Sequence, residues 1–129
     1  MIARVAAAGF GIIALFQLAL AAGAPLGRAA WGGGHAGQLP ANLRVASLVA
    51  LLIWAAAALV VLRRAGLAAT ALPAGVGTWG TWVLAGLLTL GALMNLASSS
   101  PWERFVWAPW AATLAALCFL LARSPAAAA

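Results

Sequence analysis

The chain has 129 residues, 67% of them hydrophobic and 6% charged, and a formal charge of +6. A soluble globular domain is about 45–50% apolar and about 25% charged, so these proportions exclude an ordinary soluble fold and a disordered chain. One acid (Glu103), one histidine (His35), one cysteine (Cys118) and no Lys, Asp or Tyr leave no material for a disulfide framework, a Cys-cluster metal site or a dithiol redox pair.

Four apolar stretches have the length a spanning helix needs, about 17–25 residues. The first runs from Val5 to Ala24 and stops at Pro25. It is read as a retained span, because it is longer than the apolar core of a cleaved leader, about 7–15 residues. The second runs from Val45 to Leu62, between Arg44 and the pair Arg63-Arg64. The third covers Val76–Ala97 and ends at Ser98-Ser99-Ser100. The fourth covers Phe105–Ala122, between Arg104 and Arg123. The expected fold is therefore all-α, a bundle of four transmembrane helices forming one integral membrane domain over residues 1–129. The tail Ala126–Ala129 is low in complexity and is expected to fray.

The seven basic residues are all arginine and lie scattered at span ends. They form no basic patch, which argues against a nucleic-acid partner, and they read as membrane-edge anchors. Arg4, Arg63, Arg64 and Arg123 fall on one side; Arg28, Arg44 and Arg104 fall on the other with Glu103. The basic bias places both termini in the cytoplasm and the first and third loops outside. Trp31, Trp102, Trp107 and Trp110 then read as an outer interfacial belt, Trp79 and Trp82 as an inner one. Trp54 is expected to pack mid-span. Small residues allow close helix approach in lipid, and Gly9, Gly11, Gly80, Gly86 and Gly91 are expected to mark such contacts.

Loop 1, between the first two spans, carries Trp31 followed by three glycines, then His35, Gln38, Leu39 and Pro40. This composition predicts an ordered loop folded back over the bundle. Ser100-Pro101-Trp102-Glu103 reads as a capping box. The Ser hydroxyl accepts from the Glu103 backbone N–H, and the carboxylate reaches back to the Ser N–H. Arg28 or Arg44 is the expected ion-pair partner of Glu103, because Arg104 is adjacent and points to another face.

Polar residues inside the spans are uneven. Gln17, Ser47, Thr89, Asn95 and Thr113 fall in the outer half or near the midplane, whereas Thr81 and Cys118 are nearly alone in the inner half. Buried amides hold helices together. The same placement also describes an outward polar pocket with an apolar floor and a rim of Arg28, His35, Arg44, Glu103 and Arg104. Candidate ligand-binding residues are thus Gln17, Arg28, Trp31, His35, Arg44, Asn95, Glu103 and Arg104. One His and one Glu make a poor metal site, and no cofactor or catalytic residue is expected.

Several short landmarks carry a resemblance: Gly23-Ala24-Pro25-Leu26-Gly27, Ala30-Trp31-Gly32-Gly33, Leu39-Pro40 with Leu43-Arg44, Asn95 with Ser98, and Glu103-Arg104. Over most of its length the chain resembles small four-span bacterial integral membrane proteins of GC-rich genomes. That resemblance implies a multi-pass protein of the bacterial inner (plasma) membrane and carries no activity. Three function classes remain open. The first is a non-enzymatic accessory or lipid- or small-ligand-binding bundle. The second is a small oligomeric transporter or channel. The third is an enzyme acting on lipid at the outer leaflet. The expected partners are the lipid bilayer and either a second copy of the chain or another membrane protein.

Overall fold

The computed structural model describes residues 1–125; the Ala126–Ala129 tail lies outside the described residues. The described residues contain helices and no strand. Four helices dominate: α1 (Ile2–Ala22), α2 (Ala41–Arg64), α3 (Ala74–Ala97) and α4 (Ala108–Arg123). A π-helical turn (Glu103–Trp107) leads directly into α4, and residues 101–102 before it are already helical. With this turn included, all four helices are long and apolar enough to cross a membrane. Each begins up to four residues before the apolar run that predicts it, because flanking polar residues continue the helix past the hydrocarbon-length segment.

Local chemistry sets the ends. Gly23 closes α1 in the left-handed region at φ 99°, a conformation that costs glycine no steric penalty. Pro40 and Pro73 stand immediately before α2 and α3. The wide turn Glu103–Trp107 precedes Pro109. Proline lacks an N–H, and its ring conflicts with the carbonyl four residues earlier, here that of Phe105. Widening the turn relieves that conflict.

The helices form a ring in chain order: α1 packs on α2, α2 on α3, α3 on α4, and α4 returns to α1. Loop 1 and the serine segment 98–100 meet at one end of the bundle. The chain's beginning, the α2–α3 connection and the end of α4 lie at the other. The half toward that second end is filled by Ala6, Phe10, Ala57, Val61, Leu121 and Cys118, all buried. Phe10 stacks on Trp54 with ring centroids 5.8 Å apart, so Trp54 packs within the bundle, as its position mid-span predicts.

Close approach by glycine is confirmed at two of the five expected positions. A Cβ on Gly9 would lie 2.7 Å from Leu114, and one on Gly80 would lie 2.8 Å from Val60. Gly11, Gly86 and Gly91 face open space instead. A close approach between the backbones of two helices falls at a glycine outside those five. A Cβ on Gly77 would come within 2.9 Å of the Arg64 backbone nitrogen, where α3 crosses the end of α2.

Arg63 and Arg64 correct a second expectation. They are buried, not extended as anchors. Arg64 donates to the carbonyls of Ala122, at 2.9 Å, and Ser124. Arg63 donates to the Leu72 carbonyl at 2.6 Å. The last carbonyls of a helix have no partner within it, and a guanidinium supplies several donors at the negative end of the helix dipole. The two arginines therefore tie the α2–α3 connection and the end of α4 to the end of α2.

Candidate functional site

Loop 1 is shaped by a run of unusual backbone angles. Trp31, Gly32 and Gly33 have φ of 53°, 80° and 71°. Residues with a Cβ rarely adopt such angles, so the two glycines make the turn possible. Trp31 pays steric strain, and its indole N–H is held by the buried Ser47 hydroxyl at 3.0 Å. Gly33 lies against the serine segment, where a Cβ would meet the Ser100 Cβ at 2.8 Å. Gly27, too, has no room for a side chain, because the His35 and Gly37 carbonyls stand 2.5 and 2.8 Å from its would-be Cβ.

This turn presents the Gly32 N–H to Glu103, which accepts it at Oε1 over 2.9 Å. The other carboxylate oxygen accepts from the Ser98 hydroxyl. The Ser100 hydroxyl donates to the Arg28 carbonyl at 2.8 Å, and the Trp107 indole donates to the Ala29 carbonyl at 2.9 Å. Loop 1 is therefore fastened across the start of the fourth helix, as its composition predicts, but by backbone groups and not by an ion pair.

Half of the capping box forms. The Ser100 hydroxyl accepts from the Glu103 N–H at 3.4 Å. The return bond does not form, because Ser98 accepts the Ser100 N–H at 3.1 Å and the carboxylate is engaged with loop 1. The expected pairing of Glu103 with Arg28 or Arg44 also does not form. Arg44 donates to the Ala21 carbonyl at 3.0 Å and so closes the end of α1. Arg28 takes part through its carbonyl while its side chain is exposed. Arg104 donates to the Ser98 carbonyl at 2.8 Å. Among the described residues, the hydrogen-bond partners of the Glu103 carboxylate are all uncharged, although the residue is 9% exposed.

Beneath loop 1 lies a cavity of about 460 Å³ bounded by all four helices. Phe16, Trp31, Trp54, Trp107 and Trp110 supply its aromatic lining; Gln17, Asn95, Ser98 and Glu103 supply its polar groups. The Gln17 side-chain oxygen is buried and has no hydrogen-bond partner. Phe16 and Trp107 lie 4.7 Å apart, and Trp107 meets Trp110 edge to face at 6.4 Å. Gly91 lines the cavity, and its missing side chain leaves that space open.

Of the eight candidate residues, the cavity thus gathers Gln17, Trp31, Asn95 and Glu103. Arg28, His35, Arg44 and Arg104 do not line it, so the expected basic rim is replaced by a backbone roof. His35 is exposed on the loop. Ser47 positions Trp31, whereas Thr89 and Thr113 bond carbonyls of their own helix turns. Trp107 and Trp110 do not join the expected outer belt: both are half-buried with indoles turned inward, Trp110 toward the Gly9 carbonyl. Their helical spacing from Glu103 was the available signal. Trp79 and Trp102 remain exposed, as belt residues would be.

Comparison with known protein families, with curated proteins and with solved structures finds no match for this chain.

The turn geometry yields a sharp contrast. Gly33→Ala should lower stability by about 1–3 kcal/mol, the cost of a strained backbone conformation, and the contact with Ser100 adds to it. Gly34→Ala, at φ −71° with open space around it, should change stability by less than about 0.5 kcal/mol. Thermal unfolding of the two variants in detergent measures the difference; equal stabilities would contradict the described loop.

Proposed function

We propose that this chain is a non-enzymatic integral membrane protein that holds a lipid-like or small apolar ligand in the cavity under loop 1. The observation that carries this reading is the cavity itself. Ligand sites are typically concave spaces of about 300–1,000 Å³, lined mainly by apolar and aromatic side chains with a few polar groups. Here a space of about 460 Å³ is lined by five aromatic rings among other apolar side chains, and one buried amide oxygen is left without a donor. A buried acceptor without a partner is costly, and a bound donor would remove that cost.

The proposed setting is a bacterial inner membrane with both termini cytoplasmic, so that loop 1 and the cavity lie on the extracytoplasmic side. The arginine distribution supports this orientation: four basic residues lie at one end against three at the other, following the tendency of cytoplasmic loops to be basic. Against a single-chain channel stands the opposite half of the bundle, which is packed with apolar side chains. Against an outer-leaflet enzyme using His35 with Glu103 stands the position of His35 outside the cavity.

Filling the cavity tests the binding reading. Gly91→Leu places a side chain in open space and replaces a helix-interior glycine, which favours the helix by up to about 1 kcal/mol. The variant should melt no lower than the wild type. It should also bind bromodecanol, an uncharged probe whose bromine quenches nearby indoles, at least about tenfold more weakly in the saturable part of a tryptophan-quenching titration, a change of about 1.4 kcal/mol. Equal quenching in both proteins would refute the site. Orientation is tested with Ala65→Cys in a Cys118→Ser background. Position 65 should resist an impermeant thiol reagent in intact cells and react once the membrane is opened; labelling in intact cells would reverse the assignment.

A further inference from the structure

We propose that the cavity selects a cationic amphiphile: an ammonium head group on an apolar body. The inference rests on the binding role proposed above and adds the chemistry of the ligand.

Three observations converge on a positive head group. The chain's only acidic side chain lines the cavity, although the protein carries seven arginines. Its carboxylate accepts only from Gly32 and Ser98, both uncharged. A carboxylate offers about four acceptor positions, so capacity remains. A buried charge is costly unless it is paired, and none of the arginines at this end of the bundle pairs with it: Arg104 donates to the Ser98 carbonyl, Arg44 donates to the Ala21 carbonyl, and Arg28 is exposed and outside the cavity lining.

The walls add the second observation. Four tryptophans line one cavity. The face of an indole is electron-rich and attracts cations, and aromatic-lined sites recognise ammonium groups. The third is the Gln17 oxygen, an acceptor with no donor in reach. A protonated amine supplies N–H donors and positive charge together, whereas an anionic or purely hydrocarbon ligand would leave Glu103 and Gln17 unanswered. The aliphatic and aromatic remainder of the lining, including Ile13, Leu88 and Met94, suits the apolar body.

The experiment compares three probes with one apolar body and different heads: bromophenylbutylamine, bromophenylbutanol and bromophenylbutyrate. Each is titrated into the full-length protein in a nonionic detergent, with quenching of tryptophan fluorescence as the readout and Gly91→Leu as the filled-cavity control. The amine should bind at least about tenfold more tightly than the alcohol, and the carboxylate most weakly. Glu103→Gln should cut the preference for amine over alcohol at least about threefold while the alcohol still binds. Should that variant fail to fold, the comparison of heads within the wild-type protein decides alone. Equal binding of amine and alcohol in the wild type, or tightest binding of the carboxylate, would overturn the cation assignment and leave the cavity reading standing. Quenching by all three probes that Gly91→Leu fully reproduces would instead remove the cavity reading and the cation assignment with it.

Discussion

One carboxylate joins the two halves of this bundle at its loop end. Glu103, at the start of the fourth helix, takes the Gly32 N–H from the first hairpin and the Ser98 hydroxyl from the end of α3. In a chain with a single acid, that choice of partners has consequences for every neighbouring group. Because the carboxylate is occupied, Ser98 must accept the Ser100 N–H in place of the usual capping return. Ser100 is then free to donate to the Arg28 carbonyl. The loop is thereby held at several backbone positions, which is possible only because Gly32 and Gly33 allow the chain to turn through left-handed angles. The cavity exists because this roof spans the helices without filling the space below.

The two ends of the bundle are closed by opposite means. At the loop end an anion gathers donors, close to the positive end of a helix dipole. At the other end Arg63 and Arg64 donate to carbonyls that the helix and its connection leave free. Within a membrane, backbone polar groups without partners are costly, so both arrangements satisfy the same constraint. The difference lies in the space each end leaves, since the Arg64 Nε at the arginine end is also buried without a partner. The arginine end is packed with small and aliphatic side chains. The carboxylate end keeps a space lined with tryptophan, and a glutamine oxygen awaits a donor.

The four helices and their approximate limits were legible in the sequence, because hydrocarbon thickness imposes a length that Val5–Ala24 and its three successors meet. The folding of loop 1 onto the start of the fourth helix was legible too, from Trp31 and the glycines. Its chemistry was not. A sequence shows charges of opposite sign and invites a pairing of Glu103 with Arg28 or Arg44, but a backbone N–H leaves no mark on composition. For the inward turn of Trp107 and Trp110 the sequence offers only their helical spacing from Glu103, and the widened turn before Pro109 shifts that register by a fraction of a turn. The burial of Arg63 and Arg64 was hidden for a related reason: their acceptors are main-chain carbonyls some sixty residues away in the case of Arg64.

Amide hydrogen exchange at Gly32 tests the central bond most directly. Protection reports a hydrogen bond that must open before exchange, and Gly34 in the same loop serves as an internal reference. In the detergent-solubilised protein, the Gly32 amide should exchange at least about tenfold more slowly than that of Gly34, and Glu103→Leu should remove this protection while amides in the middle of α1 and α2 keep theirs; a tenfold difference corresponds to about 1.4 kcal/mol of opening free energy. A Gly32 amide that exchanges as fast as Gly34 in the wild-type protein would contradict the account.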